Sequence, residues 1–211
     1  MTAITAFTQY IRPEVAGCLD VRIELEVLRV LRNLCERSKI WKDDIEATVS
    51  AADIYDIDID IATTNAALVS VEYVAIDGIE IDPATEAELS ASNPMWRADK
   101  GQPTKFITNL GASTLRLYPT PTTSSDVEYG ITLKPGLATT EVPDFIADQY
   151  LETIIDGTLA RLLGMNEMPW TNHAEAERRR KDYEKGVDLM KHKAMVGVSS
   201  VHYNMISSTL E

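Results

Sequence analysis

Three aspartates at alternating positions, Asp56, Asp58 and Asp60, are the residues whose spacing in this chain comes closest to a metal site. Carboxylates at the first, third and fifth positions open the calcium loop of an EF-hand, which also requires glycine at the sixth position and glutamate at the twelfth. Ile61 and Ala67 stand at those two positions. The alternation with isoleucine instead predicts a β-strand whose carboxylates lie along one solvated face, or a strand edge charged against further pairing. We therefore expect no metal here.

The other residues that could catalyse a reaction do not form a recognisable constellation. His173, His192 and His202 lack a zinc spacing, and Cys18 and Cys35 fit neither a disulfide framework nor a zinc site. The sequence has no nucleophile elbow, phosphate-binding loop or dinucleotide fingerprint. It therefore predicts reduced thiols, no cofactor and no enzyme activity. A soluble enzyme or a ligand-binding module is the alternative from a different class.

The charge of the chain limits its partners. Its 211 residues carry a formal net charge of −13. An acidic surface repels nucleic acid and anionic membranes, so the composition argues against a DNA-reading protein. The N-terminal segment has no basic leader before an apolar core, and no window approaches the ~20 apolar residues of a membrane helix. We expect a chain that stays in the cytoplasm or is packaged by something assembled there.

Hydrophobic periodicity divides the chain into helical ends and a β-rich middle. We predict an α+β fold in which residues 1–40 and 141–195 supply the helices of one bundle. Residues 41–140 form an inserted antiparallel β-sheet or sandwich region, with a hairpin at Asp77-Gly78 and a short helix between Pro83 and Pro94. Residues 196–211 follow as an extended arm.

The bundle helices follow from apolar residues that recur every three or four positions. A short helix is predicted over residues 2–11, a second from Asp20 and a third from Pro143. Gly157 inside the third helix costs about 1 kcal/mol relative to alanine, which predicts a close helix crossing at that point. The positions expected to face the core in the second and third helices are Val21, Leu25, Leu28, Leu31, Leu34, Phe145, Ile146, Tyr150, Ile154, Leu159 and Leu162.

The last long helix carries charges of both signs. Asn172 is its predicted N-cap, with Glu175 completing a capping box. Glu175 is spaced for ion pairs with Arg178 and Arg179, and Glu177 for ion pairs with Arg180 and Lys181. The run ERRRK, residues 177–181, is therefore predicted to be a solvated and ion-paired face. The alternative is a protein interface at which arginines meet acidic neighbours. The candidate subunit-interface residues are Trp170, Glu175, Arg178, Arg179 and Lys181.

The C-terminal stretch has almost no charge and no helical period. It is too apolar for a solvated linker, while its glycine and serine pairs weaken any helix. Such a segment is suited to lying extended on the surface of a partner, and an end without a role is the alternative. Its candidate anchors are Val196, Val198, Val201, His202, Tyr203, Met205 and Ile206.

The segment LRLYPTPTT, residues 115–123, changes from a strand to a stiff corner. Its two leucines are expected to point into a core, whereas Arg116 and Tyr118 face away. Pro119 and Pro121 lack amide donors, so the strand must end before them. We interpret Tyr118, Pro119 and Pro121 as a corner that orients the next strand.

Several segments taken together resemble the head-to-tail adaptor, or connector, proteins of tailed bacteriophages, and most of all those of short-tailed phages. The resemblance spans about residues 10–190, and the order of the segments carries it rather than any single motif. The segments are YIRPEVAGC, RSKIW, MWRADKGQPTKFI, LRLYPTP, GITLKP, VPDFIADQYLETIIDGTLARLL and MPWTNHAEAERRRKDYEKGVDLM.

The resemblance implies a structural protein without catalysis. Proteins of this family form a ring, commonly of about twelve copies, beneath the portal through which DNA enters and leaves. A helical bundle builds the ring, β-rich parts face the tail or nozzle protein, and the C-terminal arm embraces the portal. For this chain it implies a portal-binding arm at residues 196–211, bundle helices at residues 20–39, 143–163 and 172–193, and a place in the virion neck after assembly in the host cytoplasm.

A ring of about twelve such copies would carry a net charge of about −156, and a negative lumen would let double-stranded DNA slide without sequence-specific binding. In that ring the corner at Tyr118 is expected to aim the next strand at a neighbouring subunit or at the tail. Another neck or tail-completion protein, of the stopper or tail-tube type, is the nearest alternative.

Overall fold

The computed structural model describes residues 1–49 and 56–196. Within these ranges the chain forms helices and sheets, as expected for the predicted α+β class. The α-helices are α1 (Thr8–Ile11), α2 (Asp20–Ser38), α3 (Glu86–Ser92), α4 (Asp144–Leu163) and α5 (His173–Val196). The strands are β1 (Thr2–Ala3), β2 (Lys42–Val49), β3 (Asp56–Asp58), β4 (Ala66–Ile76), β5 (Ile79–Glu80), β6 (Asp82–Pro83), β7 (Lys105–Asn109), β8 (Thr114–Tyr118), β9 (Ser125–Pro135) and β10 (Glu141–Val142). None of the helices in the described ranges is both long and apolar enough to cross a membrane.

Helices α2, α4 and α5 pack together as a bundle. On α2 the side chains of Ile23, Val27 and Leu31, spaced four residues apart, are completely buried. This spacing places them on one helix face, which is why α2 can bury that face in the core. Lys39, in the left-handed conformation at φ 54°, ends the helix.

The predicted close crossing at Gly157 is confirmed. A Cβ atom placed on Gly157 of α4 would lie 2.7 Å from Cδ2 of Tyr183 on α5 and 2.8 Å from Cγ1 of Val30 on α2. The Tyr183 hydroxyl donates to Asn33 Oδ1 at 2.9 Å, and burial raises the pKa of Tyr183 to about 12. The absent side chain is therefore what allows the three helices to meet at this level.

The apolar stripes of α2 and α4 are confirmed in large part. Val21, Leu25 and Phe145, however, are exposed, so these three predictions are wrong. Val21 and Leu25 lie on a second apolar stripe of α2, while Ile23 belongs to the stripe that faces the core. The predicted core positions that are buried are Leu28, Leu31, Leu34, Ile146, Tyr150, Ile154, Leu159 and Leu162.

The first residues do not form the single helix predicted over residues 2–11. Thr2–Ala3 pairs with Glu141–Val142 as a small antiparallel sheet, and a 3₁₀ turn at Ile4–Phe7 leads into the short α1. Ladder hydrogen bonds to a strand about 140 residues away thus replace the first helical turns, and a local pattern cannot indicate such a partner.

Two four-stranded sheets fill the middle of the chain. The main sheet has the order β2-β9-β4-β5, and the second sheet has the order β3-β8-β7-β6. The predicted hairpin joins β4 to β5, with Asp77 and Gly78 at φ 50° and 79°, the positive values that a tight two-residue turn requires. The predicted short helix between strands is α3, whose N-cap Thr85 forms a capping box with Glu88.

The bundle and both sheets share one continuous core. The inner face of the main sheet presents Val127, Tyr129 and Ile131 of β9, alternate residues that are almost completely buried. Leu115 and Leu117 of β8 extend the core into the second sheet, as predicted for the strand of the LRLYP segment.

Candidate functional site

The aspartates of the alternating segment lie on a sheet edge. Asp56 accepts two hydrogen bonds from Arg116 on β8, Nε to Oδ1 at 2.8 Å and Nη2 to Oδ2 at 2.9 Å. These bonds are the main reason that the pKa of Asp56 is lowered. Asp58 and Asp60 are exposed, and β3 is an edge strand of the second sheet as described. Among the described residues, no group of three or more His, Cys, Asp or Glu side chains is placed to hold a metal ion.

The two cysteines are buried free thiols. Burial raises the pKa of Cys35 to about 12, and it also raises the pKa of Cys18. A reactive cysteine needs a lowered pKa, because the thiolate is the nucleophile. Both side chains therefore act as small apolar core residues.

The predicted corner packs against a tryptophan. Strand β8 ends at Tyr118, whose ring meets the ring of Trp96 edge to face with the centroids 6.0 Å apart. The Tyr118 hydroxyl donates to Asp99 Oδ2 at 3.0 Å, and Asn93 Nδ2 donates to the same oxygen at 2.6 Å. Trp96 donates its own Nε1–H to Ser90 Oγ at 3.0 Å. The aromatic pair is thus held from both sides by hydrogen bonds.

Thr120, the one residue between the two prolines of the corner, forms backbone hydrogen bonds. Thr120 donates its N–H to Asp99 O at 3.1 Å and accepts from Gly101 N at 3.0 Å. Pro121 is buried, and Pro119 is half-buried. These backbone hydrogen bonds therefore fix the corner to the segment that follows Trp96, and they set the direction in which the chain leaves β8.

Within the chain, the corner leads to a strand whose two edges are already paired. The next strand is β9, which hydrogen-bonds to β2 along one edge and to β4 along the other. An inner strand with both edges paired cannot add to the sheet of another chain. The corner instead carries the chain from the second sheet into the middle of the main sheet.

A cleft of about 340 Å³ opens beside the corner. The guanidinium of Arg97 stacks over the ring of Trp96 at 4.5 Å from its centroid and pairs with Glu86 at 3.0 Å. Arginine and aromatic surfaces of this kind are typical of protein recognition sites. The cleft is lined by Trp96, Arg97, Arg116, Leu117, Tyr118 and Thr120, among which there is no acid–base pair for catalysis.

The charged residues at the start of α5 are engaged inside the chain. Asn172 Oδ1 accepts from the N–H of Glu175 at 3.2 Å, which confirms Asn172 as the helix cap. The N–H of Asn172 donates to Leu163 O at 2.9 Å, so Glu175 does not complete the predicted capping box. The carboxylate of Glu175 accepts from Arg178 and Arg179. These hydrogen bonds, the one from Arg178 first, lower the pKa of Glu175 to about 2. The ion pairs predicted for Glu175 therefore form, and Glu177 pairs with Arg180 at 3.8 Å, whereas Lys181 has no ion pair with Glu177 among the described residues.

Arg179 joins three parts of the chain. It contacts Asp156 on α4 at 2.6 Å, Glu14 near the N-terminus at 2.8 Å and Glu175 on its own helix at 2.9 Å. The hydrogen bond to Asp156 is the main reason that the pKa of Arg179 is raised. With its guanidinium shared by three carboxylates of the same chain, Arg179 has little capacity left for a neighbouring subunit.

The other predicted interface residues differ in accessibility. Arg178 is exposed and pairs with Glu175 and, at 3.7 Å, with Asp182. Lys181 is exposed. Trp170 is half-buried and donates its Nε1–H to Leu162 O at 3.2 Å. The structure thus brings Glu175, Arg178 and Arg179 together and places Lys181 and Trp170 outside that cluster.

A buried carboxylate on α2 forms a second charge cluster, which the sequence reasoning missed. Glu26 Oε1 lies 2.7 Å from Arg29 and 3.2 Å from Arg22, and Oε2 lies 2.7 Å from Arg161 on α4. The side chain of Glu26 is 1% exposed. The spacing of Arg22, Glu26 and Arg29 was the available signal, since residues three and four apart share a helix face.

The predicted arm begins at the end of α5. Val196 is the last described residue and is exposed, as is Met195, whose exposed fraction is 76%. The other candidate anchors lie outside the described residues: Val198, Val201, His202, Tyr203, Met205 and Ile206.

Charged groups of the described residues tie helices and strands of the chain together, and the cleft beside the corner combines arginine and aromatic side chains, as protein-binding surfaces do. The family model of the SU10 adaptor protein matches residues 8–201, and the chain belongs to that family. No curated protein matches the chain.

Family membership confirms the resemblance to head-to-tail adaptors of tailed bacteriophages. The chain is a structural adaptor protein of the phage neck, and its family is not a family of enzymes.

Proposed function

We propose that the chain forms a ring of about twelve copies beneath the portal of a short-tailed phage and connects the portal to a tail or nozzle protein. The ring leaves a channel through which double-stranded DNA passes, and it is assembled in the host cytoplasm before it becomes part of the virion. The family match over residues 8–201 is the observation that carries this proposal.

The bundle supports such a role because its helices are fixed before any partner is present. Glu26 joins α2 to α4, and Arg179 joins α4 and α5 to the N-terminal segment. A preformed platform loses little conformational entropy on docking, so more of the contact energy appears as affinity.

The proposed portal-binding arm is residues 196–211. It continues from an exposed apolar helix end, Met195 and Val196, into a stretch that has a single carboxylate side chain, at its last residue, Glu211. An uncharged, apolar segment gains by covering a partner surface and brings little of the repulsion that the rest of this acidic chain would bring.

The acidic composition supports a channel that DNA does not adhere to. Binding of DNA requires cations that neutralise phosphates, whereas each copy carries a formal net charge of −13. The proposed passage of DNA is therefore one of sliding, without sequence recognition.

The experiment mixes the purified chain with purified portal rings and follows light scattering and negative-stain images. We expect rings of adaptor on the portal. A full-length variant in which Val201, Tyr203, Met205 and Ile206 are all replaced by serine should lose recruitment at least tenfold. The matched control replaces Ser207, Ser208 and Thr209 of the same arm with alanine and should be recruited like the wild type.

Recruitment of the serine variant at the wild-type level would contradict the arm assignment. A chain that never joins the portal would contradict the adaptor ring. A chain that joins only portals already carrying another neck protein would be a stopper, the alternative from the same class of virion proteins.

A further inference from the structure

A groove at the C-terminal ends of α2 and α5 collects basic side chains in this acidic protein. Its volume is about 480 Å³. We call it the basic groove, and its lining residues are Arg37, Ser38, Lys39, Lys42, Glu72, Lys191, Ala194 and Met195. The lining has four cationic side chains and one carboxylate, whereas the whole chain has more carboxylates than cations.

Two of these cations are not neutralised within the described ranges. Arg37 pairs with Glu184, and Lys39 pairs with Glu72 at 2.9 Å. Lys42 Nζ donates to the carbonyl oxygen of Ala194 at 3.1 Å, while Lys191 is exposed. In the part of the chain that the structure describes, neither Lys42 nor Lys191 forms an ion pair with a carboxylate. Both lysines can form an ion pair with a carboxylate of another molecule.

The outer face of the main sheet has the opposite charge. Glu46 of β2 lies directly opposite Glu128 of β9, and Glu128 and Glu80 both lie opposite Ala75 of β4. Asp44 is two residues before Glu46, on the same side of the strand. We call Asp44, Glu46, Glu80 and Glu128 the acidic face. All four are exposed, and no described cation lies within ion-pair distance of them.

An aromatic ring lies at the centre of the acidic face. The ring of Tyr73 lies over Gly130, where a Cβ atom would be 2.4 Å from its Cε1, and its hydroxyl donates to Asp44 Oδ1 at 3.2 Å. A tyrosine surrounded by charged groups has the composition of a protein interface. Like charges placed directly across a sheet are unfavourable in the isolated chain, so a cationic partner would relieve them.

We propose that the basic groove of one copy binds the acidic face of a second copy of this chain. The inference rests on the proposed function, because a ring places copies side by side. It also agrees with the internal contacts of α5: Arg179 is occupied inside the chain, so this arginine has little capacity to offset repulsion between copies.

Charge complementarity favours a second copy over nucleic acid as the occupant. Lys42 alternates with Asp44 and Glu46 along one side of β2, with neighbours about 7 Å apart. A phosphate backbone laid across Lys42 would therefore approach two carboxylates. The surface of another copy presents carboxylates to the groove and receives cations in return.

The test reverses the charge of each surface and then mixes the two variants. One variant carries Lys42→Glu and Lys191→Glu, and the other carries Glu46→Lys, Glu80→Lys and Glu128→Lys. Each alone has two like-charged surfaces and should associate at least tenfold more weakly than the wild type in sedimentation velocity at low salt. An equimolar mixture should recover association, because each groove then meets a face of opposite sign.

A control variant with Lys105→Glu and Lys185→Glu changes the net charge as much as the first variant does, at exposed sites away from both surfaces. It should associate like the wild type. Circular dichroism of every variant verifies that it is folded. Reversal variants that associate normally, or a mixture that stays monomeric, would overturn the inference, as would a wild-type chain that fails to associate both in solution and on portal rings.

The experiments distinguish a failure of this contact between copies from a failure of the proposed adaptor function. Copies that associate through groove and face but ignore the portal would contradict the adaptor ring and leave this contact standing. Copies that join the portal equally well with either surface reversed would leave the adaptor role standing and overturn the contact.

Discussion

Replacing Glu26 by glutamine should destabilise the bundle far more than the same substitution at Glu36, one helix face away on α2. The side chain of Glu26 is 1% exposed and is shared by three arginines, two on α2 and one on α4. Glu36 is 56% exposed and has a single ion pair, with Lys134 at 3.0 Å. Both changes remove one negative charge and keep the shape of the side chain.

The magnitude follows from burial. Removing one partner of a fully buried ion pair costs about 3–5 kcal/mol, because a charge is left without compensation. The three arginines around Glu26 are about half exposed and can regain water, and glutamine keeps one acceptor oxygen, so we expect about 2–3 kcal/mol. At Glu36 the loss should be about 0–1 kcal/mol. For a chain of this size the change at Glu26 lowers Tm by about 4–12 °C.

Urea unfolding followed by circular dichroism gives the free energy of unfolding of each variant by linear extrapolation. A loss at Glu26 no larger than the loss at Glu36 would refute the reasoning that a buried carboxylate holds α2 against α4. Combining Glu26→Gln with Arg161→Gln should cost less than the sum of the two single changes, since both remove the same contact.

Three further predictions concern other contacts. Gly157→Ala gains about 1 kcal/mol of helix propensity but places a methyl group against the Tyr183 ring, so a net loss of about 1 kcal/mol is expected in urea unfolding, and a more stable variant would contradict the crossing. The pKa of Glu175 is about 2 in the folded chain against an ordinary 4.5, so its ionised carboxylate stabilises the fold fully above pH 4.5, and this contribution is lost as the pH falls towards 2. Glu175→Gln should therefore flatten that part of the acid-unfolding curve. An unchanged curve would contradict the ion pairs. Tyr118→Phe removes the hydrogen bond to Asp99 and should cost about 0.5–1.5 kcal/mol in the same urea assay, while no loss would mean that the ring contact alone holds the corner.

Features decided by neighbouring residues could be predicted from the sequence. The cap at Asn172, the turn at Asp77-Gly78 and the pairs of Glu175 with the following arginines all depend on partners within four residues. Such interactions form in any helix or hairpin that contains those residues. Their presence in the folded chain therefore needs no information about the rest of the fold.

Features decided by distant parts of the chain could not be predicted. Arg161 is 135 residues from Glu26, and Glu14 is 165 residues from Arg179, so neither cluster could be read in full from local spacing. The prediction that Val21 and Leu25 face the core was wrong for a related reason. Periodicity shows which residues share a helix face, but α2 has two apolar stripes, and tertiary packing decides which one faces the core.

The candidate surfaces divide in the same way. The apolar character of the C-terminal segment and the stiff corner at Tyr118 were visible in the sequence, because composition and proline alone indicate them. The basic groove and the acidic face were not, because each combines residues from helix ends and from strands that pair across the sheet. The corner also shows that direction is a tertiary property: its prolines end β8, but only the pairing of β9 shows where the chain goes next.

The internal use of arginine has a consequence for how a ring would form. Arg179 and the partners of Glu26 stabilise one copy, and they leave a formal net charge of −13 that weakens association between copies in solution. Screening at physiological ionic strength acts over about 8 Å, so opposite charges attract strongly only once two copies are already close. Binding of several arms to one portal would supply that proximity, because it turns association between copies into a step within one complex at high effective concentration. In the proposed ring, the portal therefore controls when the copies join, although their own surfaces decide how they fit.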